Sequence, residues 1–153
     1  MLLRLPADQM RALQKALEAA GEKEIGGQLF GEQLAPSDFR ATDLTIQKRK
    51  GTIARFIVDL VQAARDSMWF FKKTRHQYTR YNYIGEWHSH PSFALRPSGE
   101  DVATMANLVR DPEYMGHFAV LLIVRLDGGE LTGRAWLFDP SGVVADVTLE
   151  MES

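Results

Sequence analysis

Tyr81-Asn82-Tyr83-Ile84-Gly85-Glu86-Trp87-His88 reads as a β-strand that runs directly into Ser89-His90-Pro91, and the reading of the whole chain turns on that strand end. Residues two apart on a strand face the same way with Cα atoms about 6.5–7 Å apart, so His88 and His90 can converge on one metal ion. The stretch 89–97 contains Pro91 and Pro97 and is expected to be a polar loop rather than regular structure. A helix then starts at Ser98. Ser98-Gly99-Glu100-Asp101 puts a carboxylate in its first turn, where the arrangement is close to a capping box and the helix dipole favours negative charge. Asp101 can cap that helix and also be a third metal ligand. Two histidines, one aspartate and an open fourth position describe a catalytic zinc site, because structural sites close all four positions with protein ligands.

Hydrolysis at such a centre also needs a group to carry the water's proton. Glu24, Glu32 and Glu86 are the candidates. Glu86 lies two residues before His88 and shares its strand face. Glu24 precedes Gly26-Gly27, where missing side chains let another backbone or a ligand come close. Spacing leaves the choice open.

Working outward, 2–5 reads as a short apolar strand, and Met10, Leu13, Leu17 and Ala20 recur at helical spacing between Pro6 and Gly21. Strands are expected over 25–31, 41–47 and 55–60, then a helix over 62–76 whose Ala63, Ala64, Met68, Trp69 and Phe71 should pack on a sheet. After the helix at Ser98, strands over 117–125, 130–139 and 143–150 follow, the first two joined by a turn at Asp127-Gly128-Gly129. The order β-α-β-β-β-α-β-α-β-β-β is an α/β sandwich pattern, a mixed sheet flanked by helices. At 153 residues it suits one domain over 1–153.

A net charge of -2 gives no footprint for a polyanion, which argues against a nucleic-acid partner. No stretch has the eighteen or so apolar residues of a membrane span, so no membrane partner is expected. Cysteine is absent, which fits a reducing, cytoplasmic setting and leaves histidine and carboxylate to hold any metal. It also excludes a nucleoside deaminase, whose zinc is held by a Pro-Cys-x-x-Cys motif. The basic run Lys72-Lys73-Thr74-Arg75-His76 reads as the solvated face of a helix.

Glu24-Ile25-Gly26-Gly27-Gln28-Leu29-Phe30-Gly31, Gly85-Glu86-Trp87-His88-Ser89-His90-Pro91 and Ser98-Gly99-Glu100-Asp101 together resemble the signature of the JAMM (MPN+) zinc metalloproteases. The resemblance implies a cytidine-deaminase-like JAB/MPN sandwich in which His88, His90 and Asp101 bind Zn2+. It further implies that Glu24 is the general acid and base and that Ser98 steadies the oxyanion. The short connection over 110–117 lacks the long insertions of eukaryotic deubiquitinases, so the likeness is to compact prokaryotic JAB-domain proteins. Relatives of that kind act on ubiquitin-like or sulfur-carrier proteins that end in Gly-Gly, and the implied activity is peptidase or isopeptidase cleavage after such a tail. The alternatives are a hydrolase of a small peptide or amino-acid adduct, or a non-catalytic scaffold of the same fold. His76 and His117 receive no role.

Overall fold

A computed structural model describes residues 1–47, 60–114 and 116–153. Leu3 and Leu5 alternate with more exposed neighbours and form β1 (Leu2–Leu5). Pro6, with its fixed φ, stands at the start of α1 (Ala7–Ala20), which buries Leu13 and Leu17, one helical turn apart. There follow β2 (Gly26–Ala35), β3 (Asp38–Leu44), α2 (Leu60–Lys73), β4 (Tyr81–Ser89) and α3 (Gly99–Arg110). β5 (Ala119–Asp127), β6 (Glu130–Phe138) and β7 (Val144–Met151) close the order.

The strand expected over 55–60 lies outside the described residues, save Leu60, which opens α2. The helix expected over 62–76 stops at Lys73, because Arg75 and His76 take positive φ and cannot continue it. β3 begins three residues before the expected 41, since Ala35 already pairs with Asp38 across a tight turn. On α2 the packing expectation needs correction. Phe70 is the residue that is fully buried, stacked on Phe30 at 4.6 Å, and Phe71 is half-buried. Met68 and Trp69 are exposed, because helical phase lets one stripe face the sheet and turns its neighbours out. The side chains of Ala63 and Ala64 lie outside the described residues.

The class is α/β as expected, and the sheet is closed. Its seven strands run β1-β3-β2-β4-β5-β6-β7 and return to β1. β1 is parallel to both β3 and β7, β4 is parallel to β5, and the other pairs are antiparallel. Successive strand residues point to opposite faces, so closure sorts them into an inside and an outside. Leu29, Trp87, Val120, Leu122 and Val124 form the inner cluster with Leu13 and Leu17 of α1. Leu121, Ile123, Trp136 and Phe138 form a second cluster with Met105 and Val109 of α3. His88 pairs with Ile123 and alternates with the inward Trp87, so it faces the outside under α3.

Two close approaches shape the strand that carries the histidines. A Cβ at Gly85, where φ is 154°, would stand 1.8 Å from the Val120 carbonyl oxygen. One at Gly27 would stand 1.9 Å from that of Thr45. Only glycine lets β5 and the backbone of Thr45, just past β3, lie so near.

Candidate metal centre

β4 delivers His88, and His90 follows one residue past its end, still held by its N–H donating to Val124 at 2.9 Å. The first turn of α3 delivers Asp101 to the same point. His88 Nε2 and His90 Nε2 are 3.1 Å apart, and Asp101 Oδ2 lies 3.5 Å from the first and 3.7 Å from the second. All three side chains are buried. Ligand atoms around a tetrahedral zinc stand roughly 3.3–3.5 Å from one another. The two nitrogens and the oxygen therefore already have the edges of such a site.

The surroundings match that use. His90 Nδ1 is 2.9 Å from the Ala94 carbonyl, which can only accept, so Nδ1 carries the proton and Nε2 keeps its lone pair for a metal. Asp101 Oδ2 accepts from the Ser98 backbone N–H at 2.7 Å, and the Asp101 N–H donates to Ser98 Oγ at 3.1 Å, completing the expected capping box. Asp101 Oδ1 is buried with no hydrogen-bond partner among the described residues. A buried carboxylate oxygen without a donor is costly unless a cation supplies the missing charge. The donor set thus fits a divalent ion of borderline softness, and His88, His90 and Asp101 could hold one.

Charge tells the same story. Burial alone would raise the Asp101 carboxyl, but hydrogen bonds to His88, His90 and the Ser98 backbone outweigh it and hold the group far below the usual carboxylate range. Burial likewise opposes a charged His90, yet Asp101, the Ala94 carbonyl and the negative charge of Glu24 raise it above the ordinary 6.5.

Glu24 is half-buried just ahead of β2, near enough for its charge to be felt at His90. What fixes that entrance is Ser89, between the two histidines, which the sequence reading gave no role. Its Oγ accepts from the Ile25 N–H at 3.0 Å, and its own N–H donates to the Ile25 carbonyl at 2.9 Å. Strand alternation, which sends Ser89 to the face opposite the histidines, was the available signal. Ser98 is exposed at the helix start, with Oγ accepting from Asp101 and its proton free to donate outward.

The remaining candidates separate. Glu32 is held by Arg80, whose Nε lies 2.7 Å from its carboxylate. His76 Nδ1 is 2.9 Å from the Tyr78 hydroxyl on the exposed surface, and His117 is exposed. Glu86 does share the face of His88, one pleat away, but its carboxyl accepts from the Tyr83 hydroxyl at 2.6 Å. Burial raises it to about 8, against the opposing effect of that hydrogen bond. Across the ladder from Glu86 stands Gln28, also unforeseen, because only the β2–β4 register pairs the two.

Residues 6–139 match the family described as prokaryotic homologues of the JAB domain. A CD-NTase/cGAS isopeptidase from Enterobacter hormaechei is 35% identical over 51 residues, which are 33% of this chain and 27% of that relative's length. Two solved structures share the fold. A protein from Desulfitobacterium hafniense superposes with a TM-score of 0.68 at 18% identity, over 99% of this chain and 94% of its own. A JAB1/MPN domain protein from Archaeoglobus fulgidus does so with a TM-score of 0.50 at 15% identity, over 98% and 99%.

Proposed function

Because the chain belongs to the family of prokaryotic JAB-domain homologues, we propose that it is a zinc-dependent isopeptidase or peptidase. Its substrate in this reading is a ubiquitin-like or sulfur-carrier protein, cut after the Gly-Gly tail. The observation that carries it is the near-tetrahedral spacing of His88, His90 and Asp101 around one point, with a buried Asp101 oxygen left without a donor. The isopeptidase name of the Enterobacter relative supports the activity over the part that aligns. A mixed sheet with helices on its outside and against its inner cluster supports a cytidine-deaminase-like JAB/MPN arrangement.

Bound by His88, His90 and Asp101, zinc would supply a Lewis acid that polarises the scissile carbonyl and acidifies a water. The chain's own residues do the rest. Glu24, held at the strand entrance by Ser89, takes the proton of the attacking water and passes it to the leaving amine. The Ser98 hydroxyl donates to the oxygen on which negative charge develops. Ala94 keeps His90 in the tautomer that leaves Nε2 free.

Glu24→Gln tests this. The variant should keep about one zinc per chain, while cleavage of a ubiquitin-like fusion falls roughly 10²–10⁴-fold. Full activity in that variant overturns the assignment. Loss in Glu86→Gln with Glu24→Gln unaffected moves the proton-transfer role to Glu86.

A further inference from the structure

Along the outer face of the β2–β4 ladder, the pairs run from Gly26 and His88 at the metal centre to Gln28 and Glu86, and then, past a bulge, to Phe30 and Tyr83. The second pair forms the floor of a groove of about 1070 Å³, with Phe71 of α2 and Leu108 of α3 in its walls. The proposed mechanism uses none of it.

Its polar inventory is one-sided. Gln28 is 8% exposed, and its Oε1 is buried with no partner among the described residues. Glu86 receives the Tyr83 hydroxyl, and no other described group donates to it. On the same lining, Asp111 and Glu113 are exposed acids without an ion pair among the described residues. The basic groups there are Arg80, already engaged by Glu32, and the exposed His117. An anion would leave the buried acceptor Gln28 Oε1 without a donor and would meet the exposed acids Asp111 and Glu113 at the rim. A ligand rich in N–H donors and carrying positive charge would satisfy them, and the apolar walls suit the alkyl stem beneath such a head group.

We infer that this groove binds a lysine- or arginine-bearing peptide segment, with its cationic head at Glu86 and Gln28 and its stem along Phe71 and Leu108. The groove begins one pleat from His88, so the segment belongs to whatever protein is being cut. That last identification rests on the peptidase reading, whereas cationic-peptide binding itself does not.

The test titrates blocked Gly-Lys-Gly, Gly-Arg-Gly and Gly-norleucine-Gly peptides into the full chain, once metal-free and once zinc-loaded, and follows the Gln28 side-chain amide by NMR. The lysine and arginine peptides should shift that signal in both states, and the norleucine peptide should bind about tenfold more weakly, the loss expected for a charge-assisted hydrogen bond. Glu86→Gln, followed by the same signal, and Gln28→Leu, followed by titration calorimetry because the amide is gone, should each weaken the lysine peptide by a similar factor at unchanged zinc content. Equal binding of the norleucine peptide, an unmoved Gln28 signal, or full affinity in Glu86→Gln overturns the inference. Should Glu86→Gln not fold, Asp111→Asn/Glu113→Gln decides on the exposed rim: it should flatten the salt dependence of lysine-peptide binding, and an unaltered dependence counts against the groove. Failed hydrolysis with intact peptide binding would instead count against the isopeptidase reading alone.

Discussion

Ser89 links two parts of the centre that are 64 positions apart in the chain. Its hydroxyl is the partner of a buried backbone N–H, so Ser89→Ala leaves that donor unsatisfied, at a cost of about 1–3 kcal/mol. The more telling effect is on Glu24, whose entrance into β2 loses its clamp. Turnover of a ubiquitin-like fusion should fall in Ser89→Ala while the zinc dissociation constant stays at the wild-type value, since His88 and His90 have other anchors. A loss of zinc affinity equal to the loss of turnover would show that Ser89 supports the ligands instead. At this scale the sequence was informative where chemistry is local: the parity of His88 and His90 and their spacing to Asp101 follow from strand and helix geometry. It was silent on Gln28, whose importance depends on which residue stands opposite.

α3 joins stability to chemistry through one residue. Ser98 caps the helix, and the Asp101 that it caps is a candidate ligand. Ser98→Ala should cost about 1 kcal/mol of stability through the lost cap, and it should lower turnover as well by removing the proposed oxyanion donor. Ser98→Asp separates the two: it restores an N-cap acceptor and recovers the melting temperature, but has no proton to give to an oxyanion and stays slow. Equal turnover in both variants and wild type would remove Ser98 from the proposed mechanism. The start of α3 was readable because a cap is written in four consecutive residues. The orientation of α2 was not, because Met68, Trp69, Phe70 and Phe71 are all apolar and only the aromatic ring of Phe30 beneath selects Phe70 as the inward one.

For the molecule as a whole, a metal held by His88, His90 and Asp101 would tie β4 to α3, and anything that binds the native state alone raises the melting temperature. The pH dependence has a definite sign. In the metal-free protein the lowered Asp101 carboxyl contributes stability above the ordinary carboxylate value of 3.8 and loses it as pH falls through its lower native value. The raised His90 contributes fully below 6.5 and loses its contribution as pH rises through its higher native value. Zinc needs neutral imidazoles, so its stabilisation grows as that proton leaves. The gap in melting temperature between zinc-loaded and metal-free protein should widen between about pH 5 and pH 8; a gap of constant size would contradict the ligand assignment. The α/β class was legible from element order, but closure was not, since alternation tells which face of a strand is buried and nothing about its neighbours. That closure has a consequence for biosynthesis. β1 finds both its partners in strands made later, and Leu2 pairs with Thr148 near the far end of the chain. Because His88, His90 and Asp101 leave the ribosome within one short stretch, the candidate ligands are all available well before β1 can be locked in place by β7.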